Sequence, residues 1–393
     1  MMKRFWRVTA LLLTLAMILP LIACSSQGGD IEVPTSEETT TEEQPEVTKA
    51  KKKKFELVEH TMGEIAGDIL ILGERTYIED GALTVNWPCS GFEIKFESPE
   101  GTDFAFSLDT NYQNYIKVIV DGTPINNRFA ISSKTEKKTV ARGLEPGVHV
   151  IRVLKDGQIG TAAGNYCKFT AVHLEGTILH TENDPKPLYL EFIGDSIWCG
   201  GGALGNTANS STFANETSGS AAVPYLTAQA MNADYNVTAR GSIGVFSRFP
   251  TENGKNMLEL FPLLNGYRDD TPYTPRRTPD AVIICLGTND PKSAAGDFVR
   301  DGKTFIREIR EVYGKDVPIV WTYGMMNRLH FHTELEMIQK AMGGEENGIY
   351  LLQLKYGQNG SGSGADNRHP SAADHEKNVE ILVPYLKDLL HLS

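Results

Sequence analysis

The sequence is short of positive charge and of cysteine, and both shortages narrow the possible functions. There are 38 lysines and arginines against 50 aspartates and glutamates, which gives a formal net charge of -12 at pH 7. Because phosphate contacts supply most of the affinity for nucleic acids, an acidic chain without a basic groove is not expected to bind them. The five cysteines have spacings that match no zinc motif. We therefore expect no nucleic-acid partner, no metal and no cofactor.

The amino-terminal apolar run is too short to span a membrane. Three basic residues open the chain, and an apolar stretch over residues 11–21 leads to the sequence Leu-Ile-Ala-Cys, which ends at Cys24. This pattern predicts a signal peptide over residues 1–24. Its ending resembles a bacterial lipobox, in which Cys24 becomes the lipidated first residue of an exported protein held at a membrane. An ordinary secretory signal with an incidental cysteine is the alternative, and which membrane holds the anchor stays open.

Aromatic residues are missing from residues 25–48, where Ser, Thr, Glu, Gly and Pro dominate. Such a segment cannot bury enough apolar surface to order itself. We therefore predict a disordered linker over residues 25–54.

Helical periodicity is missing from residues 55–182. Phe92, Ile94 and Phe96 alternate with polar residues, as do several later stretches, and Gly, Asn, Asp and Pro punctuate them. Short alternating strands of this kind predict an all-β sandwich or jelly roll. Export would permit a disulfide between Cys89 and Cys167 in this domain.

Residues 187–393 alternate apolar strands with helical patterns, which predicts an α/β domain with a parallel sheet covered on both faces. The predicted strands are near 189–193, 235–239, 281–286 and 318–323, and the predicted helices are near 221–232, 293–313 and 372–391.

The first of these strands stops at Gly194-Asp195-Ser196. Ligands of open α/β sheets bind at the carboxyl ends of the strands, so Ser196 is a candidate nucleophile if a base reaches it. The alternative is a serine that caps the next helix. Far downstream, His369 is a candidate base, and Asp366 three residues earlier is a candidate for orienting its imidazole ring.

Two other strand ends supply candidate donors for an oxyanion. Asn289 follows the strand near 281–286, and its carboxamide is expected to point into the same crevice as Ser196. Gly241 and Gly244 follow the strand near 235–239, where a glycine lets a backbone N–H approach the substrate closely. The sequence favours Gly241 and leaves Gly244 open.

Serine, glycine, asparagine and an Asp-x-x-His motif in this order resemble the SGNH (GDSL) hydrolase superfamily. The resemblance covers residues 187–392 and implies a flavodoxin-like parallel sheet. It implies Ser196 as nucleophile, His369 as base and Asp366 as orienting acid, with an oxyanion hole of Ser196 N–H, Gly241 N–H and Asn289. The G-x-S-x-G pattern of α/β-hydrolases is absent around Ser196.

A β-rich module directly before such a domain is similar to carbohydrate esterase family two, acetyl esterases that act on plant polysaccharides. The stretches that carry the likeness are 87–93, 120–122, 144–149, 193–197 and 320–325. Some members of that family manage with a Ser–His pair and a backbone acceptor, so Asp366 or a backbone carbonyl is left to orient His369.

Three aromatic residues near the motifs, Trp198, Trp321 and Tyr323, are candidates for stacking on a sugar; Trp321 and Tyr323 are equally well explained as core aromatics. His330 and His332 are residues of a type that binds metals, but the sequence shows no third ligand near them.

The sequence thus predicts an exported, lipid-anchored, monomeric serine esterase that removes O-acetyl groups from carbohydrate. A lipase or thioesterase of the same superfamily and a catalytically inactive carbohydrate-binding lipoprotein are the alternatives.

Overall fold

The computed structural model describes residues 54–125, 128–132, 136–182, 185–205, 213–250, 254–326, 331–355 and 369–393. The predicted signal peptide and lipidation site Cys24, nearly all of the predicted linker, and Asp366 and His330 lie outside the described residues.

The amino-terminal part of the described chain is built from antiparallel strands, as its alternating sequence predicts. One sheet has the order β10-β6-β12-β4-β3 with β1 beside β12, and the other has the order β13-β5-β11-β7-β8 with β2 beside β5 and β9 beside β7. Phenylalanines from both sheets, among them Phe92, Phe96, Phe104 and Phe106, form a common core. The strands are β1 Val58–Thr61, β2 Leu70–Leu72, β3 Tyr77–Glu79, β4 Ala82–Thr84, β5 Gly91–Ser98, β6 Thr102–Thr110, β7 Asn114–Val120, β8 Thr123–Pro124, β9 Phe129–Ile131, β10 Glu136–Leu144, β11 Gly147–Lys155, β12 Cys167–Leu174 and β13 Thr177–Leu179. We call this part the β module.

The carboxyl-terminal part contains a five-stranded parallel sheet with the order β15-β14-β16-β17-β18. This is the flavodoxin-like order 2-1-3-4-5, so the predicted fold is confirmed. The strands are β14 Tyr189–Gly194, β15 Asp234–Ala239, β16 Ala281–Cys285, β17 Ile319–Tyr323 and β18 Ile349–Gln353, and the helices are α1 Phe213–Glu216, α2 Val223–Ala230, α3 Met257–Leu260, α4 Ala295–Tyr313, α5 His332–Ala341 and α6 Ala372–Leu389. The sequence patterns did not indicate β18 and α5.

Helices cover both faces of the parallel sheet. Leu382 and Leu386 of α6 and Val223 of α2 belong to the core on one face, whereas α4 and α5 contribute to the core on the other. Helix α6 begins with a capping box in which Ser371 and Asp374 each accept a hydrogen bond from the backbone of the other. In the described part of the chain, no helix is long and apolar enough to cross a membrane.

The β module packs directly on the parallel sheet. Trp87 and Ile159 of the β module belong to one of the two sheet cores, and Leu72, Cys89 and Leu154 belong to the other. The chain from Lys53 to Ser393 accordingly forms one compact unit.

Four cysteines are described, and all are buried thiols: Cys89, Cys167, Cys199 and Cys285. Cys285 lies in β16, where it acts as a small apolar residue, as predicted. The disulfide that export would permit between Cys89 and Cys167 is not formed, because Cys89 faces the parallel sheet while Cys167 lies in the core of the β module.

Candidate active site

The position of the candidate site follows from the order of the strands in the parallel sheet. Strands β15 and β16 flank β14 on opposite sides, so the connections that follow β14 and β16 leave the sheet in opposite directions and open a crevice at the carboxyl ends of the strands. Ser196 follows β14 at this point, and Asn289 follows β16. The strand that leads to Ser196 must end in glycine, because a Cβ at Gly194 would lie 2.3 Å from the indole ring of Trp198.

Ser196 and His369 are separated by 173 residues in the chain and meet in this crevice. Ser196 Oγ lies 2.7 Å from His369 Nε2, which is hydrogen-bonding distance for a nucleophile and its base. Ser196 is only 6% exposed. His369 is held just before the capping box that starts α6. The orienting acid predicted for it, Asp366, lies outside the described residues.

A second histidine stands close to His369 but carries no charge. Burial lowers the pKa of His375, on α6, to about 3. Its ring accepts a hydrogen bond from Val223 N–H, with 3.3 Å between Nδ1 and N. The imidazole of His375 is therefore neutral near pH 7 and places no opposing positive charge behind His369.

The structure distinguishes the two glycines that the sequence left open. Gly244 N–H donates to Ser247 O over 2.9 Å, and a Cβ at Gly244 would lie 2.1 Å from the Asp290 carboxylate. Gly244 is therefore committed to the turn. Gly241 lines the crevice with Ser196, and its N–H donates over 3.0 Å to a side-chain oxygen, Gln158 Oε1.

Asn289 lies beside Ser196, but its N–H groups are directed at protein acceptors. Its Nδ2 donates to Asp195 Oδ2 over 3.2 Å and to Ile243 O over 2.9 Å. Asp195 is fully buried, and burial raises its pKa to about 7. Its other oxygen accepts the Ile197 N–H over 2.9 Å, so Asp195 fixes both the turn at Ser196 and the carboxamide of Asn289. The Ser196 N–H itself has no acceptor among the described residues.

The crevice has a volume of about 400 Å³ and is lined by both parts of the molecule. The β module contributes Tyr112 from the β6–β7 loop, Tyr115 from the start of β7, and Gln158 from a second loop over residues 157–159. Lys155, at the end of β11, holds the second loop, since its Nζ donates to Gly157 O over 2.9 Å and to Gln158 O over 2.6 Å. The site is thus completed by a part of the chain in which sequence reasoning placed no site residue.

Asp156 ties this loop to the other wall of the crevice. Its carboxylate accepts hydrogen bonds from Ser218 Oγ over 2.8 Å and from Ser220 N–H over 2.7 Å. It also pairs with Arg128 Nε over 2.7 Å. Because Asp156 is fully buried, these bonds fix the loop that carries Gln158 at a set position above Ser196.

Comparisons with known proteins match both parts of the chain to known domain families. The family model for the amino-terminal domain of carbohydrate esterase 2 matches residues 73–177, and the model for GDSL-like lipase/acylhydrolase matches residues 190–382. The cellulase/esterase CelE of Acetivibrio thermocellus is 26% identical over 333 residues, which are 82% of this chain and 39% of CelE. The acetylxylan esterase / glucomannan deacetylase of Cellvibrio japonicus is 25% identical over 350 residues, which are 81% of this chain and 90% of that protein. A solved family two carbohydrate esterase from Clostridium thermocellum, in complex with cellohexaose, superposes with a TM-score of 0.73 and 25% identity over 82% of this chain and 99% of that one.

This chain carries a carbohydrate esterase 2 amino-terminal domain followed by a GDSL-like lipase/acylhydrolase domain. Both curated relatives carry the name esterase. The chain spans only 39% of the length of CelE.

The structure corrects the assignment of the aromatic residues that were expected to stack on a sugar. Trp198 and Trp321 are 0% and 1% exposed and lie in the cores of the parallel sheet. Tyr323 is half-buried, and its ring lies 5.0 Å from that of His332. The aromatic residues that do line the crevice are Tyr112, Tyr115 and Phe249. The two tryptophans were assigned to the site because they are close to the motifs in the sequence. Residues in or next to a buried strand, however, pack into the core of the sheet.

A second serine–histidine pair lies in the β module. Ser107 Oγ lies 2.7 Å from His173 Nε2, the same distance as in the crevice. Ser107 lies within β6, however, and His173 lies in the neighbouring strand β12, where it is opposite Ala105. Neither residue lines the active-site crevice. Within the described residues, no group of three or more His, Cys, Asp or Glu side chains is placed to hold a metal ion.

Proposed function

We propose that this protein is a serine esterase that removes O-acetyl groups from carbohydrate. The observation that carries the proposal is the 2.7 Å contact between Ser196 Oγ and His369 Nε2 in a crevice at the switch point of the sheet. The names of the relatives support the same chemistry, since one is an acetylxylan esterase / glucomannan deacetylase.

The proposed reaction has two half-reactions. His369 Nε2 takes the proton of Ser196 Oγ while Oγ attacks the acetyl carbonyl, and the oxyanion accepts the N–H groups of Ser196 and Gly241. Collapse of this intermediate expels the sugar oxygen, which takes the proton from His369. Water then hydrolyses the acetyl-serine by the same route and releases acetate. Asp366 or a backbone carbonyl orients the imidazole in this proposal.

The test compares two serines that make the same hydrogen bond. Ser196→Ala is expected to lower kcat on 4-nitrophenyl acetate by about 10⁴-fold or more, because the nucleophile is gone. Ser107→Ala breaks the other Ser–His pair and is expected to leave kcat within about twofold of wild type. Circular dichroism of both variants checks that they fold. Equal turnover by Ser196→Ala and Ser107→Ala would refute the assignment of the nucleophile.

We propose that the alcohol released from the ester is a hydroxyl group of a carbohydrate. Tyr112 and Phe249 both line the crevice and are partly exposed, and aromatic faces are common surfaces for sugar rings. The solved family two esterase was bound to cellohexaose. Acetate release is expected from acetylated xylan or glucomannan, and kcat/KM on 4-nitrophenyl esters is expected to fall from acetate to octanoate. A preference for octanoate would instead indicate a lipase.

We propose further that the protein is exported and held at a membrane through lipid on Cys24. The basic start, the apolar stretch over residues 11–21 and the Leu-Ile-Ala-Cys ending support this. In a bacterial host, wild type is expected in the membrane fraction and to incorporate labelled palmitate. Cys24→Ser is expected to lose the label; a wild type that never takes up label would contradict the proposal.

A further inference from the structure

One oxygen atom in the crevice already accepts the bonds that an oxyanion would accept. Gln158 Oε1 takes the Gly241 N–H over 3.0 Å and is also in contact with Arg240 Nη1. A Cβ at Gly241 would lie 2.8 Å from this oxygen and 3.3 Å from Ser196 Cβ. The position held by the carboxamide oxygen is therefore next to the nucleophile.

One of the three donors that the sequence predicted for the oxyanion hole, the Asn289 carboxamide, already donates to other groups of the protein. Both N–H groups of Asn289 are taken, by Asp195 and by Ile243. The other two donors are the Ser196 N–H and the Gly241 N–H, which donates to Gln158 Oε1, and both are neutral. An acyl transfer that develops a full negative charge gains most from donors already directed at it.

Arg240 is the charged donor beside this position. Its side chain packs over the Phe249 ring, 4.4 Å from the centroid, and its Nη1 also donates to Gly241 O over 3.2 Å. In the described part of the chain, Arg240 has no carboxylate partner, and its buried Nε has no hydrogen bond. Burying a cation without a counter-charge costs free energy. That cost is offset if a negative charge forms next to the guanidinium during the reaction.

We propose that Arg240 is a catalytic residue that donates to the oxyanion together with the N–H groups of Ser196 and Gly241. The carbonyl oxygen of the substrate displaces Gln158 Oε1 and takes over its contacts. As the Ser196 Oγ–carbon bond forms, the π electron pair of the carbonyl moves onto this oxygen and the hydroxyl proton moves to His369; Arg240 keeps its protons throughout. The inference rests on the proposed esterase function.

The test uses Arg240→Met and Arg240→Lys, with Arg300→Met as the matched control on the exposed face of α4, where Arg300 is 63% exposed. Arg240→Met is expected to lower kcat on 4-nitrophenyl acetate by about 10²- to 10³-fold with little change in KM. Arg240→Lys is expected to recover about tenfold of that loss, and Arg300→Met to match wild type. Methylboronic acid adds to the serine hydroxyl as a tetrahedral anion, and its Ki is expected to rise by the factor by which kcat/KM falls.

Gln158 gives an independent arm of the same experiment. Gln158→Ala is expected to raise kcat/KM severalfold, because the substrate no longer displaces a side chain. Gln158→Glu is expected to lower it by at least about tenfold, because a carboxylate pairs with Arg240 and repels the oxyanion. A kcat for Arg240→Met within threefold of wild type, or an unchanged Ki for methylboronic acid, would overturn the role of Arg240. A wild type without esterase turnover would instead refute the proposed function.

Discussion

Two ionisable side chains near Ser196, Asp195 and Lys155, are fully buried, and each has hydrogen-bond partners. Asp195 orients Asn289 and the turn at Ser196. Lys155 is fully buried, and burial lowers its pKa to about 8. A neutral amine has two N–H donors, which match the two carbonyls that Lys155 Nζ contacts in the loop carrying Gln158. The shape of the crevice therefore depends on a side chain whose charge is costly in the folded state.

The pH dependence of stability follows from Lys155. Its folded pKa of about 8 lies below its unfolded value of about 10.4. Between these two values the unfolded chain holds the proton and the folded chain does not, so rising pH favours the folded state. The free energy of unfolding of wild type minus that of Lys155→Met is expected to increase from pH 8 to pH 10, by at most about 1.4 kcal/mol per pH unit.

Urea denaturation of wild type and Lys155→Met at several pH values measures this difference, and the subtraction cancels the groups that both proteins share. Below pH 8 the difference is expected to be flat, because Lys155 is protonated in both states. A difference that stays constant up to pH 10 would show that Lys155 keeps its proton in the folded protein.

Elements from distant parts of the chain build the two walls of the crevice. Strand ends of the parallel sheet supply Ser196, Gly241 and Asn289, whereas the β6–β7 loop of the β module supplies Tyr112. The proposed catalytic groups thus belong to one part of the fold, and much of the surface proposed to meet the rest of a substrate belongs to the other. Changes in the β module are expected to affect binding of a glycan more than the reaction at the acetyl group.

Tyr112→Ala tests this separation. It is expected to lower kcat/KM on acetylated xylo-oligosaccharides by about tenfold more than on 4-nitrophenyl acetate, since a stacked ring contributes about 1 kcal/mol beyond its buried area. Tyr166→Ala is the matched control, because Tyr166 lies in the β module and is not among the residues that line the crevice. Equal losses on both substrates would mean that Tyr112 acts on the reaction and not on glycan binding.

Helices and strands with a strong hydrophobic pattern could be predicted from the sequence. Features that arise from tertiary packing could not. Ser196 and Asn289 each follow a buried strand with a clear apolar run. Because the carboxyl ends of parallel strands lie at the same edge of a sheet, the sequence predicted that both residues lie at that edge. Strand β18 has only five residues and mixed exposure, which leaves little periodicity to detect. Gln158 and Tyr112 reach the site only because two separately patterned parts pack together, and no local sequence pattern records that contact. Trp198 was misassigned because burial depends on the same packing.

At the scale of the whole molecule, the β module and the parallel sheet share their cores. Arg75 of the β module is 1% exposed, and its guanidinium lies 3.7 Å from the centroid of the Tyr273 ring. Its Nη1 donates to the carbonyl oxygens of Phe261 and Leu263 in the other part. Trp87 reaches the same region and donates its indole N–H to Leu264 O over 2.7 Å. Because these buried contacts cross the boundary between the two parts, we expect the two parts to unfold together.

Cooperative unfolding is therefore expected, with one transition seen by tryptophan fluorescence and by far-ultraviolet circular dichroism. Arg75→Ala is expected to lower the free energy of unfolding by about 3 kcal/mol or more, because it leaves a cavity and two buried carbonyls without donors. Arg142→Ala, at a side chain that is 72% exposed in the β module, is the control and is expected to change stability by less than about 0.5 kcal/mol. Because the cores are continuous, Arg75→Ala should move the single transition to lower denaturant concentration without splitting it. Two separate transitions in wild type would show that the β module folds independently, and the crevice would then be an interface between domains that move.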